Sequence, residues 1–323
     1  MPLMSIIHFI YILNYCIICD ESTPRSEYMN QQKKSIILLI FLVIVWGINW
    51  PISKIALDYA PPLLFAGIRT VIGGFILILI ALPKMKELRF KQLWPIYLTS
   101  AILSIVFYYG FQTIGLQYVP AGLFSSIVFL QPVLLGIFSW LWLGESMYGL
   151  KMAGLLLGFI GVGSLSIGGL NGSISIWGIV LALASALSWA LGTVYMKRNA
   201  VRVDMLWMTA MQITIGGIIL LLSGSATEKW SDITWSGTFI ADTLFIAVFV
   251  IALGWLIYFK LINEGEAGKV GSFTFLIPLI SIGTSVVFLN EQITLNLVIG
   301  LLLIVSSIVL VNVRIGRAAK QSV

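Results

Sequence analysis

The sequence predicts an all-α integral membrane protein with ten transmembrane helices, arranged as two inverted five-helix repeats. Composition, segment length and an internal repeat each support this fold class. Of the 323 residues, 59% are hydrophobic and only 10% are charged. Because a soluble domain needs more charge on its exterior, lipid must be the solvent for most of the chain.

Ten apolar segments have the length of about 20 residues that crosses the hydrocarbon core of a bilayer. They are predicted near residues 36–57, 63–83, 94–117, 120–143, 149–169, 176–197, 205–223, 238–262, 268–289 and 294–313. The separators are short and carry turn residues, as in Tyr59-Ala-Pro-Pro62, so no soluble domain fits between the spans.

An internal repeat relates the first five segments to the last five. At an offset of 143 residues, the matched positions are Trp46 with Trp189, Lys54 with Lys197, and Gly73-Gly74 with Gly216-Gly217. At an offset of 146, they are Pro120-Ala-Gly122 with Glu266-Ala-Gly268, Leu130-Gln-Pro132 with Leu276-Ile-Pro278, Gly144-Glu145 with Asn290-Glu291, and Gly154 with Gly300. Matches at fixed spacing indicate a duplication. The predicted organisation is a leader (1–34), a first repeat (36–169), a second repeat (176–313) and a tail (314–323).

The distribution of basic residues predicts the orientation of the spans. If the segment before Ser35 is cytoplasmic, the inside loops hold 15 of the 19 Lys and Arg residues, which places both core termini in the cytoplasm. Each repeat has an odd number of spans, so the second repeat enters the membrane upside down relative to the first. Inverted repeats are typical of transporters that expose a midplane site alternately to the two sides.

Residues 1–34 do not belong to the repeat. Their apolar stretch from Leu3 to Cys19 can be interpreted as an eleventh span, as a signal-like segment, or as the product of a start codon assigned too early. The segment Met29-Asn-Gln-Gln-Lys-Lys34 reads as a natural start with a short basic tail, which favours the third interpretation.

The ten-span core offers little chemistry for catalysis. The only histidine, His8, and both cysteines, Cys16 and Cys19, fall in the leader. Two carboxylates end apolar helices at equivalent positions, Glu145 and Glu291, and the other core carboxylates lie in loops or at helix ends. No catalytic residue, metal site or cofactor is predicted, and the sequence has no phosphate-binding Gly-x-x-x-x-Gly-Lys-Ser/Thr loop for ATP.

Two other function classes stay open at this point. An integral-membrane transferase or hydrolase would need a cluster of carboxylates, histidines or cysteines near one face, and a structural or signalling protein would move no solute. The net charge of +6 comes from basic residues between apolar runs, so it indicates membrane orientation rather than nucleic-acid binding.

Polar and aromatic side chains within the spans predict a solute-binding site. The candidate residues are Trp46, Asn49, Arg69, Tyr108, Gln112, Gln131, Trp189, Tyr195, Trp255 and Tyr258. Aromatic faces with a few amides suit organic solutes that carry both apolar and polar parts. Tryptophans near segment ends are instead interpreted as an interfacial belt, and these are Trp94, Trp140, Trp142, Trp177 and Trp207.

Arg69 has two alternative interpretations. It lies about seven residues into the second span, a depth of about 10 Å at 1.5 Å per residue. It can face the bundle interior, as intramembrane charges usually do, or snorkel to the outer headgroups. Its repeat counterpart is Gln212, and Lys54 at the outer end of the first span is interpreted as snorkelling.

Two equivalent prolines, Pro132 and Pro278, lie about twelve residues into the fourth and ninth spans. Each removes one backbone hydrogen bond and is expected to kink its helix, either as a hinge or as a static bend. The pair Gly154 and Gly158 predicts close helix packing in the fifth span.

These motifs together resemble the EamA-type drug/metabolite transporter superfamily. The resemblance rests on Trp46-Gly47-x-Asn49, Arg69 with Gly73-Gly74, Pro120-Ala-Gly122, Pro132, Gly144-Glu145 and Asn290-Glu291, and it covers residues 36 to about 313. It implies a ten-helix basket with a central cavity between the two halves, in a bacterial-type plasma membrane. The implied activity is secondary transport of amino acids, metabolites or drugs, frequently export, by alternating access.

The sequence also differs from two branches of this superfamily. The nucleotide-sugar and triose-phosphate branches hold phosphate with basic residues in late helices, whereas this chain has no Lys or Arg between Lys269 and Arg314. The expected partners are a small organic solute and the lipid bilayer, with no nucleic acid and no ATP-binding domain in the chain.

Overall fold

The structure, a computed structural model, describes residues 25–167, 175–264, 270, 273–289 and 295–312. All regular structure within these ranges is helical. The leader before residue 25, the loop 168–174, the tail after residue 312, and the motif residues Glu266, Gly268, Asn290 and Glu291 lie outside the described residues. The predictions made for them stay predictions.

The helical segments are labelled in chain order, and each label includes the 3-10 or π turns inside it. They are α1 (Arg25–Ala56), α2 (Pro62–Ala81), α3 (Phe90–Gly115), α4 (Ala121–Leu143), α5 (Gly149–Ile167), α6 (Ile176–Asn199), α7 (Met205–Thr227), α8 (Gly237–Asn263), α9 (Ile277–Leu289) and α10 (Leu295–Asn312). Within the described residues, seven helices are long and apolar enough to span a membrane: α1 from Ser35, α2, α3, α4, α6, α7 and α8. The apolar helices in α5, α9 and α10 are shorter.

Local sequence explains several helix ends. The Asp204 carboxylate caps α7 by accepting from the backbone N–H groups of Leu206 at 3.0 Å and Trp207 at 3.1 Å. At the end of α4, Gly144 adopts the left-handed φ of 69°, and the N–H that follows it donates back to Ser139 O at 3.2 Å. The predicted Gly144-Glu145 motif is therefore a helix stop.

The equivalent helices α2 and α7 pack backbone to backbone and run antiparallel. A Cβ added to Gly67 would stand 2.6 Å from Leu221 Cα, and one added to Gly74 would stand 2.8 Å from Thr214 Cα. As the residue number increases along α2, the number of the contacted residue in α7 decreases. This is the relation that an inverted repeat requires. Only glycine permits this approach of the two helices.

The first glycine of each repeated pair contacts the third helix of the other repeat. Gly73 in α2 lies against Ile251 in α8, and its counterpart Gly216 in α7 lies against Ile105 in α3. The duplicated glycine motif thus marks the contact between the two repeats. The predicted close packing of the fifth span is confirmed, because Gly154 in α5 lies against Leu310 and Val311 of the equivalent helix α10.

Both repeats carry a π-helical segment in their third helix, at Ile102–Phe107 in α3 and Ile246–Gly254 in α8. These segments occupy equivalent places in the two repeats. A π turn shifts the hydrogen-bond register, frees backbone groups and is frequent at functional sites. Neither segment is predicted from the sequence.

The predicted kink at Pro132 is confirmed as a helix break, and Pro278 lies next to a 3-10 turn. The helix α4 is interrupted at Phe129 and Leu130, so that Pro132 lies in the first turn of its second part. Pro278 is the second residue of α9 and follows a 3-10 turn at Thr274–Leu276. A proline is tolerated at these positions because first-turn N–H groups have no intrahelical acceptor.

Two sequence predictions about membrane-surface residues are wrong. Trp207 is only 2% exposed, and its Nε1 donates to the backbone oxygen of Lys84 at 2.7 Å. The Lys54 Nζ donates to the backbone oxygens of Leu116 and Val119, so this side chain binds carbonyls beyond the end of α3 instead of snorkelling to headgroups. Terminal carbonyls lack helical partners and attract such a cation. The other four predicted belt tryptophans are exposed.

We call the end of the bundle that carries Lys84, Glu145, Lys197 and Asp204 the basic end. Ion pairs join the repeats there, with Lys84 Nζ 3.2 Å from Asp204 Oδ2 and Lys197 Nζ 3.5 Å from Glu145 Oε1. The opposite end carries Lys54 and Glu228.

Candidate solute-binding site

A small cavity lies between the repeats, where α1, α3 and α4 of the first repeat meet α8 of the second. Its lining residues are Trp46, Asn49, Trp50, Tyr108, Tyr109, Phe129, Val250 and Trp255. The cavity volume is about 10 Å³, which is room for about one water molecule. A solute can therefore enter only when the surrounding rings move apart.

The two repeat-related tryptophans meet beside this cavity. The ring centroids of Trp46 and Trp189 are 5.3 Å apart with an interplanar angle of 68°, an edge-to-face arrangement. Trp255 and Tyr258 of α8 contact the same pair, and both rings are tilted relative to that of Trp46, with centroids 5.4 and 5.2 Å from its centroid. The duplicated motif thus supplies one indole from each half to a single aromatic cluster.

Hydrogen bonds fix the orientation of two of these indoles. The Trp46 Nε1 donates to Val250 O at 3.1 Å, an acceptor within the π segment of α8. The Trp255 Nε1 donates to the Tyr109 hydroxyl at 2.6 Å. Gly254 lies so close to the Trp46 Nε1 that any Cβ there would displace the indole. The π segment of α8 therefore holds the Trp46 ring against the cavity.

The Gln131 amide lies beside the aromatic cluster and contacts Tyr258. The Gln131 Nε2 donates to the Tyr258 hydroxyl at 3.2 Å, and the Thr193 hydroxyl lies 3.4 Å from the same oxygen. Gln131 follows directly after the break in α4, so the proline motif places this amide. Its Oε1 has no hydrogen-bond partner within the described chain.

Arg69 is fully buried in the bundle, which contradicts the snorkelling alternative. Its Nη1 donates to Ser53 Oγ at 2.9 Å, and its Nη2 contacts Gln112 Oε1 at 3.4 Å. The Cζ also lies 4.5 Å from the ring centroid of Phe65 and 4.9 Å from that of Tyr109. Cation–π contacts and hydrogen bonds compensate part of the cost of burying the charge.

A chain of hydrogen bonds connects Arg69 to the cavity. The Ser53 hydroxyl, which accepts from Arg69, donates to Asn49 Oδ1 at 3.1 Å. Asn49 lines the cavity, whereas Arg69 lies one layer behind it. Among the cavity's lining residues, none carries a formal charge.

The predicted site residues occupy three kinds of position. Trp46, Asn49, Tyr108 and Trp255 line the cavity. Arg69, Gln112, Gln131, Trp189 and Tyr258 are buried in the layer around it. Tyr195 is partly exposed and its backbone oxygen accepts from Asn199, so the structure does not bring its side chain to the cavity lining.

The site prediction left out four lining residues: Trp50, Tyr109, Phe129 and Val250. Trp50 and Tyr109 directly follow predicted residues or lie one helical turn from them, so the aromatic clustering of the spans was the available signal. Val250 carries no sequence signal, because its backbone oxygen, not its apolar side chain, makes the hydrogen bond to Trp46. The described residues contain no group of three His, Cys, Asp or Glu side chains that could hold a metal ion.

Known proteins that are similar to this chain are named as transporters. A model of the EamA-like transporter family matches residues 33–167 and 176–313. The chain is 62% identical over 289 residues to the uncharacterized transporter YvbV of Bacillus subtilis, covering 90% of this chain and 94% of that protein. It is 29% identical over 289 residues to a protein of Escherichia coli named "Probable amino-acid metabolite efflux pump", covering 85% of this chain and 94% of that protein.

A solved crystal structure has the same fold. It superposes with a TM-score of 0.72 at 20% sequence identity, covering 86% of this chain and 96% of the other. At that identity the likeness concerns the fold alone.

Proposed function

Because this chain belongs to the EamA-like transporter family, we propose that the aromatic cavity between its repeats is the site through which it moves its solute. The chain is a multi-pass membrane protein and a transporter of small solutes. Beyond this, we propose the path, the direction and the residues that bind the solute. The observation that carries it is the contact between Trp46 and Trp189, since both repeats must supply a site that opens to one side and then the other.

The proposed architecture has ten spans in two inverted repeats. The antiparallel packing of the equivalent helices α2 and α7 supports it, as does the contact between α5 and α10. The proposed orientation places the basic end, with Lys84 and Lys197, in the cytoplasm, because basic loops favour that side. Both core termini are then cytoplasmic, in the cell membrane.

The proposed solutes are amino acids or related metabolites, moved outward by alternating access. The name of the Escherichia coli relative supports this direction and class. The aromatic lining suits a solute with an apolar part, and Asn49 offers an amide for a polar part. The closed cavity corresponds to a state between outward and inward opening. No observation within the described residues favours a transferase or hydrolase.

The proposed solute-binding residues combine the cavity lining with the layer that supports it. They are Trp46, Asn49, Trp50, Tyr108, Tyr109, Phe129 and Trp255 in the lining, and Arg69, Gln112, Gln131, Trp189 and Tyr258 behind it. Tyr195 is a weaker candidate, because its side chain lies outside the lining.

The test is transport by the purified full-length chain in proteoliposomes, with a panel of labelled amino acids and metabolites and with or without a pH gradient. Trp189→Ala is expected to lower flux of every transported solute, because a stacking surface does not depend on solute charge. Trp177→Ala is the matched control, since Trp177 lies in the same helix but is exposed. Equal flux in both variants, at equal protein levels, would contradict the proposed path.

A further inference from the structure

Among the residues that the structure describes, Arg69 is a buried cation without a counter-charge. No carboxylate within the described residues forms an ion pair with it, and its Nε has no hydrogen-bond partner there. A buried charge left unpaired is costly, and intramembrane charges that persist usually serve a solute or ion path. The balancing anion is therefore expected to come from outside the described protein.

Gln112 supplies a second unused donor at the same place. Its Oε1 faces Arg69 Nη2, because an arginine can only donate, and this leaves the Nε2 buried without a partner within the described chain. The separation of 3.4 Å makes the contact between Gln112 and Arg69 a long and weak hydrogen bond. A stronger acceptor can displace it.

The cavity gives access to these donors. The Tyr109 ring both lines the cavity and lies over the Arg69 guanidinium, with its centroid 4.9 Å from Cζ. Asn49, on the other side, lines the cavity and connects to Arg69 through Ser53. A group that enters between Tyr109 and Asn49 meets Arg69 next.

We propose that Arg69 and Gln112 form a carboxylate subsite at the edge of the aromatic cavity. An entering carboxylate replaces Gln112 Oε1 at Arg69 Nη2 and accepts a second hydrogen bond from Gln112 Nε2, while the aromatic rings hold the apolar part of the same solute. The substrate class is thereby a zwitterionic or anionic organic acid with an apolar body. This inference rests on the proposed function, because it assigns chemistry to the same cavity.

The experiment compares two ligands that differ only at the carboxyl group, phenylalanine and phenylalaninamide. Their binding to the full-length protein in detergent is followed by the tryptophan fluorescence of the cavity. The wild-type chain is expected to bind the acid about tenfold more tightly or better, the usual scale for a charge-assisted hydrogen bond. Arg69→Gln is expected to remove this preference, because it weakens the binding of the acid and leaves the binding of the amide unchanged.

Two further variants separate a subsite from a structural role. Gln212 is the repeat counterpart of Arg69, and its side chain is buried but outside the cavity lining. The Gln212→Leu variant is therefore expected to keep the preference for the acid. Gln112→Glu places a permanent carboxylate beside Arg69. It is expected to unfold at the wild-type temperature or higher, because the cation gains a counter-charge, and yet to lose the preference for the acid.

The outcomes distinguish the two proposals. The carboxylate subsite is overturned if Arg69→Gln weakens the binding of both ligands equally, or if Gln112→Glu keeps the preference for the acid. Either result leaves the proposed transport path intact. A wild-type chain that binds neither ligand and transports no member of the amino-acid and metabolite panel overturns the proposed function and the subsite together.

Discussion

The Glu145 carboxylate, just after the end of α4, lies 3.5 Å from the Lys197 Nζ at the end of α6, and so joins the first repeat to the second. Glu145 also lies 3.5 Å from Lys151 Nζ, whose side chain is fully buried. When a transporter opens its cavity to one side, contacts between the halves on that side must separate. This ion pair is one such contact at the basic end.

Alanine substitutions at Glu145 and Lys197 are expected to show strong coupling. Their side chains are only 9% and 19% exposed, so solvent screens the pair poorly, and a double-mutant cycle is expected to give about 1–3 kcal/mol. The cycle is measured by unfolding of the purified protein in detergent. The control pair is Lys84 and Asp204, which also joins the repeats, but with a 58% exposed lysine that predicts a coupling below about 1 kcal/mol. Equal coupling in both pairs would contradict this account.

The second prediction concerns Glu228, which caps a helix of the other repeat. Its carboxylate oxygens accept from the first-turn N–H groups of Leu63 at 2.9 Å and Leu64 at 2.8 Å in α2, whose own N-cap residue, Pro61, forms no side-chain cap. Glu228→Ala is expected to lower the free energy of unfolding by about 1–2 kcal/mol, because the cap and the helix-dipole interaction are lost together.

Glu228→Gln is expected to cost less than Glu228→Ala, since the amide keeps one acceptor oxygen. The control is Glu87→Ala, an exposed glutamate for which no hydrogen bond is described. Chemical or thermal unfolding of the three variants gives the comparison. A Glu228→Ala protein as stable as Glu87→Ala would show that the cap contributes nothing.

The third prediction concerns the close approach of α2 and α7. Gly74→Ala would place a Cβ 2.8 Å from both the backbone nitrogen and the Cα of Thr214, atoms that cannot move aside without shifting the helix. Overpacking of this kind is expected to cost about 1–3 kcal/mol. Gly283→Ala in α9 is the control, because its added Cβ meets no described atom within 4 Å and alanine favours a helix. The measurement is the unfolding midpoint and the yield of folded protein in detergent, and an unchanged Gly74→Ala midpoint would contradict the packing argument.

The sequence alone predicted the membrane class, the helical segments and the duplication, and these follow from properties that lie along the chain. Hydropathy acts on each segment separately, so apolar runs of sufficient length identify helices without any knowledge of their neighbours. The glycine pairs were visible as matched motifs, and the structure gives their physical reason, since Gly73 and Gly216 occupy reciprocal contacts between the repeats.

The cavity was predictable only in part. Trp46, Asn49, Tyr108 and Trp255 were identified because aromatic and amide side chains are unusual in the interior of an apolar span. Tyr109 was missed as a site residue although it adjoins Tyr108. In a helix that is apolar on every side, periodicity does not reveal which face meets the centre of the bundle.

Only the tertiary structure decided the position of Arg69 and the register of the π segments. The depth of Arg69 permitted both an inward and an outward direction, and the choice depends on Ser53 and Gln112, which come from two other helices. The Trp46 indole finds its acceptor, Val250, 204 positions away along the chain. Transfer into lipid is determined by what each segment contains, whereas these contacts depend on which segments become neighbours, and that is determined by packing between the two repeats.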